Sequence, residues 1–224
     1  MVEESLWLAI QAAEDSRFLR GAPLPIQRSD RLVSRLLECQ VRAGRDRGLF
    51  NLAADRRAPV RLYTGERIQT NLARRNVVSI ETARILLLLA PESPNVAVAV
   101  RRTDEWVQDT CFALRHCVVG ECAHSFVSYL RLLQLSGPSS HDLARRVQVV
   151  RELRDGTGRW LRLPFYYTVL ALLGLPSPTA REELHYACPA LERVRNRTGT
   201  DALFDARRKK LIERVSAQFG QRAS

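Results

Sequence analysis

Lysine is nearly missing from this chain: of 35 basic residues only Lys209 and Lys210 are lysines, and the other 33 are arginines. Long hydrophobic runs are lacking too. The longest, Ile85–Ala90 and the segment from Pro164 to Pro176, are too short to cross a bilayer, so no membrane span is expected. The opening Met1-Val2-Glu3-Glu4 is acidic where an export signal would be basic, which points to a cytoplasmic location. Five cysteines (39, 111, 117, 122 and 188) in that compartment are expected as reduced thiols. A Gly-rich phosphate loop, a nucleophile elbow and a His-Glu-x-x-His metal motif are all absent. Period-two alternation occurs only at Val96–Val100. That run leads straight into a helical pattern through Trp106, so it reads as helix and no sheet is expected.

What is present is a globular balance. The 224 residues carry 46% hydrophobic and 26% charged side chains, enough for one domain with a core of its own. The formal charge is +11, and it is uneven: residues 28–75 hold 12 arginines against 5 acids, and residues 193–214 hold 8 basic residues against 3. Such a field attracts anions, acidic lipid or nucleic acid. A solvated arginine-rich surface is the simpler reading. The aromatics do not interleave with the arginines as a base-stacking platform requires, and no nucleic-acid motif stands out.

Period-3.6 patterning predicts about nine helices. They fall at about 4–20, 30–43, 79–90, 95–114, 123–135, 141–154 and 164–174, then one opening at Ser177-Pro178-Thr179, and a last at about 200–219. Ser79 is the expected N-cap of the third, with Glu81 in its first turn. Thr179 and Glu182 have capping-box spacing, and Pro189 is expected to kink or break that helix. Gly137-Pro138 is the expected stop of the fifth. An internal repeat is visible: an amphipathic helix, a glycine-containing loop, then a shorter and more apolar helix. The apolar helices are Glu81–Ala90, Ala123–Leu135 and Phe165–Leu175; the loops before them carry Gly48-Leu49-Phe50, Gly120-Glu121-Cys122 and Gly158-Arg159-Trp160. A helix apolar on most of its surface must be covered on most of its surface, so these helices are expected in an inner layer with the amphipathic ones outside. The expectation is an all-α chain, one domain over 1–224. Its hairpin repeats occupy about 30–175, between an N-terminal helix with linker (1–29) and a C-terminal helical hairpin (176–224).

The stretch Leu153-Arg154-Asp155-Gly156-Thr157-Gly158-Arg159-Trp160, continued by Pro164-Phe165-Tyr166-Tyr167-Thr168 and Leu170–Leu175, resembles a repeat of the protein prenyltransferase and squalene–hopene (terpenoid) cyclase superfamily. Gly120-Glu121-Cys122-Ala123-His124-Ser125-Phe126 resembles the repeat before it. The resemblance covers about residues 79–175. It implies an α/α toroid, here a partial one, with an aromatic-lined central cavity for an isoprenoid or other apolar ligand. In the prenyltransferases an Asp, a Cys and a His hold zinc. Here Glu121 falls on the Asp, Ala123 on the Cys and Tyr167 on the His, so two of the three ligand positions are replaced. The span from Trp106 to Glu192 also resembles a family of bacterial proteins, which implies no chemistry. Full toroids of the superfamily are longer, so the ring would be open, completed by the terminal helices, or completed by a second copy of the chain.

Candidate chemistry gathers between residues 106 and 167. Cys111, His116, Cys117, Glu121, Cys122 and His124 form the densest constellation, and Cys117, Cys122 and His124 are the candidate ligands if zinc binds. Glu121 is the candidate catalytic acid or base, with a helix-dipole contact as the plainer alternative. Eight of the 15 aromatics lie in those 62 residues. Trp106, Phe126, Trp160, Tyr166 and Tyr167 are the candidate ligand-binding set, although core packing needs the same residues at the same spacing. Two functions remain open. One is a prenyltransferase- or cyclase-like protein holding an apolar ligand, with catalysis undecided and no cofactor required beyond the zinc considered above. The other is a non-catalytic helical scaffold whose arginine-rich face binds a protein or another anionic partner.

Overall fold

The computed structural model describes residues 5–52, 60–137, 140–197, 199 and 201–220. The acidic opening Met1–Glu4 and the Pro138 stop lie outside the described residues. The chain is all-α. Its helices are α1 (Leu6–Phe18), α2 (Ile26–Glu38), α3 (Asn71–Leu89), α4 (Pro94–Gln108), α5 (Cys111–Leu114), α6 (Cys122–Ser136), α7 (Ser140–Glu152), α8 (Phe165–Leu173), α9 (Pro178–Val194) and α10 (Ala202–Gly220). Among the described residues there is no strand, only three isolated antiparallel bridges: Gln40 with Phe50, Arg61 with Arg67, and Arg154 with Trp160. No helix among them is long and apolar enough to cross a membrane.

The packing order follows the apolar content of the helices. The greasy helices α3, α6 and α8 touch in sequence. α1 packs on α3, α10 packs on α8, and α10 returns to α1, so the contacts α1–α3–α6–α8–α10–α1 form a closed cycle. The amphipathic helices back it: α2 and α4 lie on α3, α7 on α6, and α9 on α8 and α10. One continuous apolar cluster runs through these layers from Trp7 to Val215.

Two of the three predicted glycine loops share one construction. After α2, Val41 and Leu49 pair through the backbone. Gln40 donates from Nε2 to the Ala99 carbonyl of α4 at 2.8 Å, and Phe50 is buried. After α7, Asp155 pairs with Arg159. Arg154 donates to Glu183 of α9 at 2.7 and 3.1 Å, and Trp160 Nε1 donates to the same carboxylate at 3.0 Å. In both, the chain leaving one outer helix is fastened to the next outer helix. A positive-φ glycine sits at each fastening: Gly48 (φ 93°) against the Arg102 backbone, and Gly158 (φ 88°) against Tyr186 and Ala190. The third loop, around Gly120, has no such bridge.

Several element boundaries differ from expectation. α3 starts at Asn71, where the Thr70 hydroxyl accepts from the Ala73 amide at 3.2 Å. The expected cap, Ser79, is inside the helix and fully buried, and its Oγ accepts from the Phe50 amide at 3.0 Å. The helix predicted at 95–114 is two, divided at Asp109–Thr110, so Cys111 opens α5 rather than ending α4. Ser177, not Thr179, caps α9, with Pro178 in the first turn. Pro189 does not end α9, which continues to Val194. Four arginines are buried, Arg84, Arg131, Arg146 and Arg207, of which only Arg207 belongs to one of the two basic stretches.

Candidate functional site

Glu121 immediately precedes α6, and its side chain reaches back across the fold. Its two carboxylate oxygens accept from the backbone amides of Gln69 and Thr70, at 2.5 and 2.6 Å, where α3 begins. Burial works to raise this carboxyl, but the two amides and the Thr70 hydroxyl outweigh it and hold its pKa below the ordinary value. Glu121 therefore sits as an ionised clasp on the α3 N-terminus, where the helix dipole favours it. Both of its oxygens accept from the start of α3, whereas the helix-dipole alternative expected from the sequence concerned α6, the helix that Glu121 precedes.

The thiols converge, but not with the predicted third ligand. The Sγ atoms of Cys111, Cys117 and Cys122 all lie within 4.8 Å of one another, and Cys111 Sγ is 3.7 Å from Cys122 Sγ. His124 is not part of this convergence. Its Nδ1 is buried without a partner, and burial lowers its pKa, so the ring is held neutral. Cys111 takes its place. The sequence hides this because Cys111 reads as one more position on α4. The break at Asp109–Thr110 is what turns it toward the other two. The Val119 backbone N–H lowers the Cys117 thiol, whereas burial and the neighbouring Cys111 and Cys117 push the Cys122 thiol up to about 12.

The five candidate aromatics are dispersed. Phe126 is buried edge-on to His116. Trp160 packs against Phe165 and Tyr186. Trp106 is half-buried on α4. Tyr166 lines a cavity of about 230 Å³ on the α9–α10 side and carries Arg208 over its ring. Tyr167 is fully buried, and it leads to a site of whose other members the sequence motifs marked none.

That site lies where four helices of the cycle meet, α1, α3, α6 and α8. Tyr167 of α8 donates from its hydroxyl to Glu81 Oε1 at 2.5 Å and receives a hydrogen bond from Ser128 of α6 at 3.0 Å. Glu81 Oε2 accepts from Arg84 Nε at 2.8 Å and Arg131 Nη1 at 2.9 Å. Both arginines also donate to Glu14 of α1. Two carboxylates and two guanidiniums thus form a closed, buried quartet spanning α1, α3 and α6, with the Arg131 guanidinium over the Tyr167 ring. Burial alone would raise the Glu81 carboxyl, but Arg131, Arg84 and the Tyr167 hydroxyl outweigh it and its pKa falls below the ordinary range. Burial and the adjoining Glu81 raise the Tyr167 phenol, which stays protonated. Isolated charges would not survive here, and each member needs the others.

Three members of the quartet, Glu14, Arg84 and Arg131, line a cavity of about 480 Å³. All five helices of the cycle line it: Glu14 and Arg17 from α1, Arg84 from α3, Arg131 from α6, Leu170 and Leu173 from α8, and Arg214 from α10. None of the five candidate aromatics does. Arg17 and Arg214 are exposed at its rim. Arg214 lies over the Phe18 ring and donates to the Phe18 carbonyl at 2.8 Å. Four arginines against one glutamate, beside a leucine wall, suit an anionic group attached to an apolar body. A larger groove of about 1070 Å³ is lined from α7, α9 and the last turn of α10 and shares no lining residue with that cavity. One feature of the sequence does point to this site: Arg131 interrupts Phe126–Leu133, a run that is otherwise nearly all apolar. A charge in such a run has to be buried with a partner.

No family model, no curated protein and no solved structure matches this chain.

Proposed function

We propose that this protein is a small α/α-toroid-like ring, closed by its own terminal helices, that binds an anionic and partly apolar small molecule in a cavity lined by five of its helices. The observation that carries this reading is the cavity of about 480 Å³ lined by all five helices of the cycle, with four arginines and one glutamate. Its size falls within the range of about 300–1,000 Å³ usual for small-molecule sites. The closed cycle of helix contacts and the shared construction of two loops support the toroid-like part of the reading. The resemblance to prenyltransferases and cyclases suggests an isoprenoid for the apolar body. The arginine lining adds a phosphate-like or carboxylate head, which joins the two readings that the sequence leaves open. Arg84 and Arg131 are neutralised by Glu14 and Glu81, so the attraction comes from the rim pair Arg17 and Arg214.

The test compares geranyl diphosphate, inorganic diphosphate and geraniol by calorimetry and thermal shift at low salt. Geranyl diphosphate is expected to bind tightest, diphosphate more weakly, and geraniol not measurably. Arg17→Gln combined with Arg214→Gln should weaken the first by at least about tenfold, since a hydrogen bond to a charged group contributes roughly 1.5–3 kcal/mol. Binding should also weaken with added salt, as the rim is exposed. Equal binding of geraniol, or no binding of either anion, overturns the proposal.

A further inference from the structure

We infer that Cys111, Cys117 and Cys122 form a trithiolate site for zinc, with a fourth coordination position open to solvent. Three observations carry it. The three sulfurs are mutually within 4.8 Å, so small side-chain rotations bring all of them to bonding distance of one point. The Cys111–Cys122 separation is 3.7 Å. Two thiolates on one tetrahedral zinc, with Zn–S bonds of about 2.3 Å, lie about 3.8 Å apart. The third observation is the local build. Cys111 opens the four-residue α5, Cys122 opens α6, and Cys117 lies in the link between them. The Cys117 amide donates back to the Cys111 carbonyl at 3.2 Å, and His116 adopts φ 51°, a conformation that L-residues rarely take. The link is thereby folded so that all three thiols face one another.

The site is separate from the cavity lined by the five helices, whose lining contains none of the three cysteines. It does not depend on the ligand-binding proposal. It also differs from the positions that the prenyltransferase resemblance puts forward, where Ala123 and Tyr167 replace a Cys and a His. Binding is a proton exchange with no redox change. Three S–H bonds break, three Zn–S bonds form, and three protons leave to solvent. The product carries one net negative charge and holds a water, or an incoming donor such as an external thiol, in the fourth position. Cys111 is exposed, and the other two are half-buried, so the metal can enter and that position stays reachable.

The full chain, reduced with a phosphine that does not bind zinc tightly, is loaded with zinc, dialysed and analysed for metal. Cobalt replaces zinc in a parallel sample for spectroscopy. The expected result is one zinc per chain and, with cobalt, tetrahedral ligand-field bands plus a sulfur-to-cobalt charge-transfer band of the intensity three thiolates give. Cys111→Ser, Cys117→Ser and Cys122→Ser should each lose retained zinc and weaken the charge-transfer band. Cys39→Ser, Cys188→Ser and His124→Asn should keep both. Circular dichroism melts establish that each variant is folded before its metal content is read. No zinc retained by the folded, reduced wild type overturns the inference. So does retention by Cys111→Ser together with loss in His124→Asn, which would restore the ligand set expected from sequence alone.

Discussion

Arginine is preferred to lysine at several positions for what its flat head can do. Arg61, Arg131, Arg146, Arg154, Arg159, Arg207, Arg208 and Arg214 each lie over an aromatic ring. An ammonium could not stack this way and donate in a fork at the same time. Arg131 does both, bridging Glu14 and Glu81 while covering Tyr167. Removing one acid of that quartet strands a buried guanidinium, so Glu81→Gln is expected to destabilise the fold by about 3–5 kcal/mol at neutral pH. The pH dependence follows from the sign of the Glu81 shift. Its folded pKa lies below the ordinary value. Its stabilising contribution is therefore full above the unfolded pKa and is lost as pH falls through the folded one. Urea unfolding of wild type and Glu81→Gln should show a gap that is widest near pH 7 and closes in acid. A gap that stays constant down to pH 3 would show that Glu81 is not held ionised.

At the scale of the element, what could be read in advance was periodicity and what could not was partnership. The apolar character of Ile85–Leu89, Phe126–Leu133 and Phe165–Leu173 placed α3, α6 and α8 inside, because a helix greasy all round has no other place. Helix ends were less legible. Ser79 has the chemistry of a cap, but its oxygen serves the distant Phe50 amide, while Thr70 caps α3 from inside a stretch that reads as polar loop. Glu121 and Gln69 are far apart in sequence, and no local pattern links them. The buried quartet was hidden for the same reason: Glu81 and Arg84 are spaced like an ordinary surface pair, and only the third and fourth members reveal the burial. The glycine loops give a test at this scale. Gly44 (φ 77°) has open space where a Cβ would go, whereas a Cβ on Gly48 would stand 2.2 Å from the Arg102 carbonyl oxygen. Gly44→Ala should cost about 1–2 kcal/mol, the strain of a left-handed residue alone. Gly48→Ala should cost clearly more, since the loop must also lift from α4. Chemical denaturation of the two variants measures the difference, and equal costs would mean that the loop is not fastened there.

At the scale of the whole molecule, Arg207 and, beside it, Arg214 with its contacts to Phe18 join α10 to α1. Arg207 of α10 is 1% exposed and forks onto Asp15 of α1 with two bonds of 2.8 Å. It also donates to Gln11 Oε1 at 2.9 Å and to the Tyr63 carbonyl at 3.0 Å, and its guanidinium stacks 4.2 Å above the Tyr63 ring. The Tyr63 hydroxyl donates to Asp15 in turn, at 2.7 Å. This knot is the polar seam of the α1–α10 contact, the step that returns the helix cycle to its start. If the cycle is closed rather than open, cutting the knot should loosen both ends of the chain before the middle. Arg207→Ala leaves Asp15 with the Tyr63 hydroxyl in place of a guanidinium fork, and truncating one partner of such a pair costs about 3–5 kcal/mol. Hydrogen exchange should locate that loss. Amides of α1 and α10 are expected to exchange faster than those of α3 and α6, which keep their own packing, because local opening takes the least supported elements first. Asp15→Asn should act in the same direction with a smaller effect, since its amide oxygen still accepts. The proposed binding cavity takes Glu14 and Arg17 from α1 and Arg214 from α10, so an anionic ligand bound there should slow exchange in α1 and α10 together. Uniform acceleration across all five helices in Arg207→Ala would instead mean that the cycle opens as one unit, with no seam.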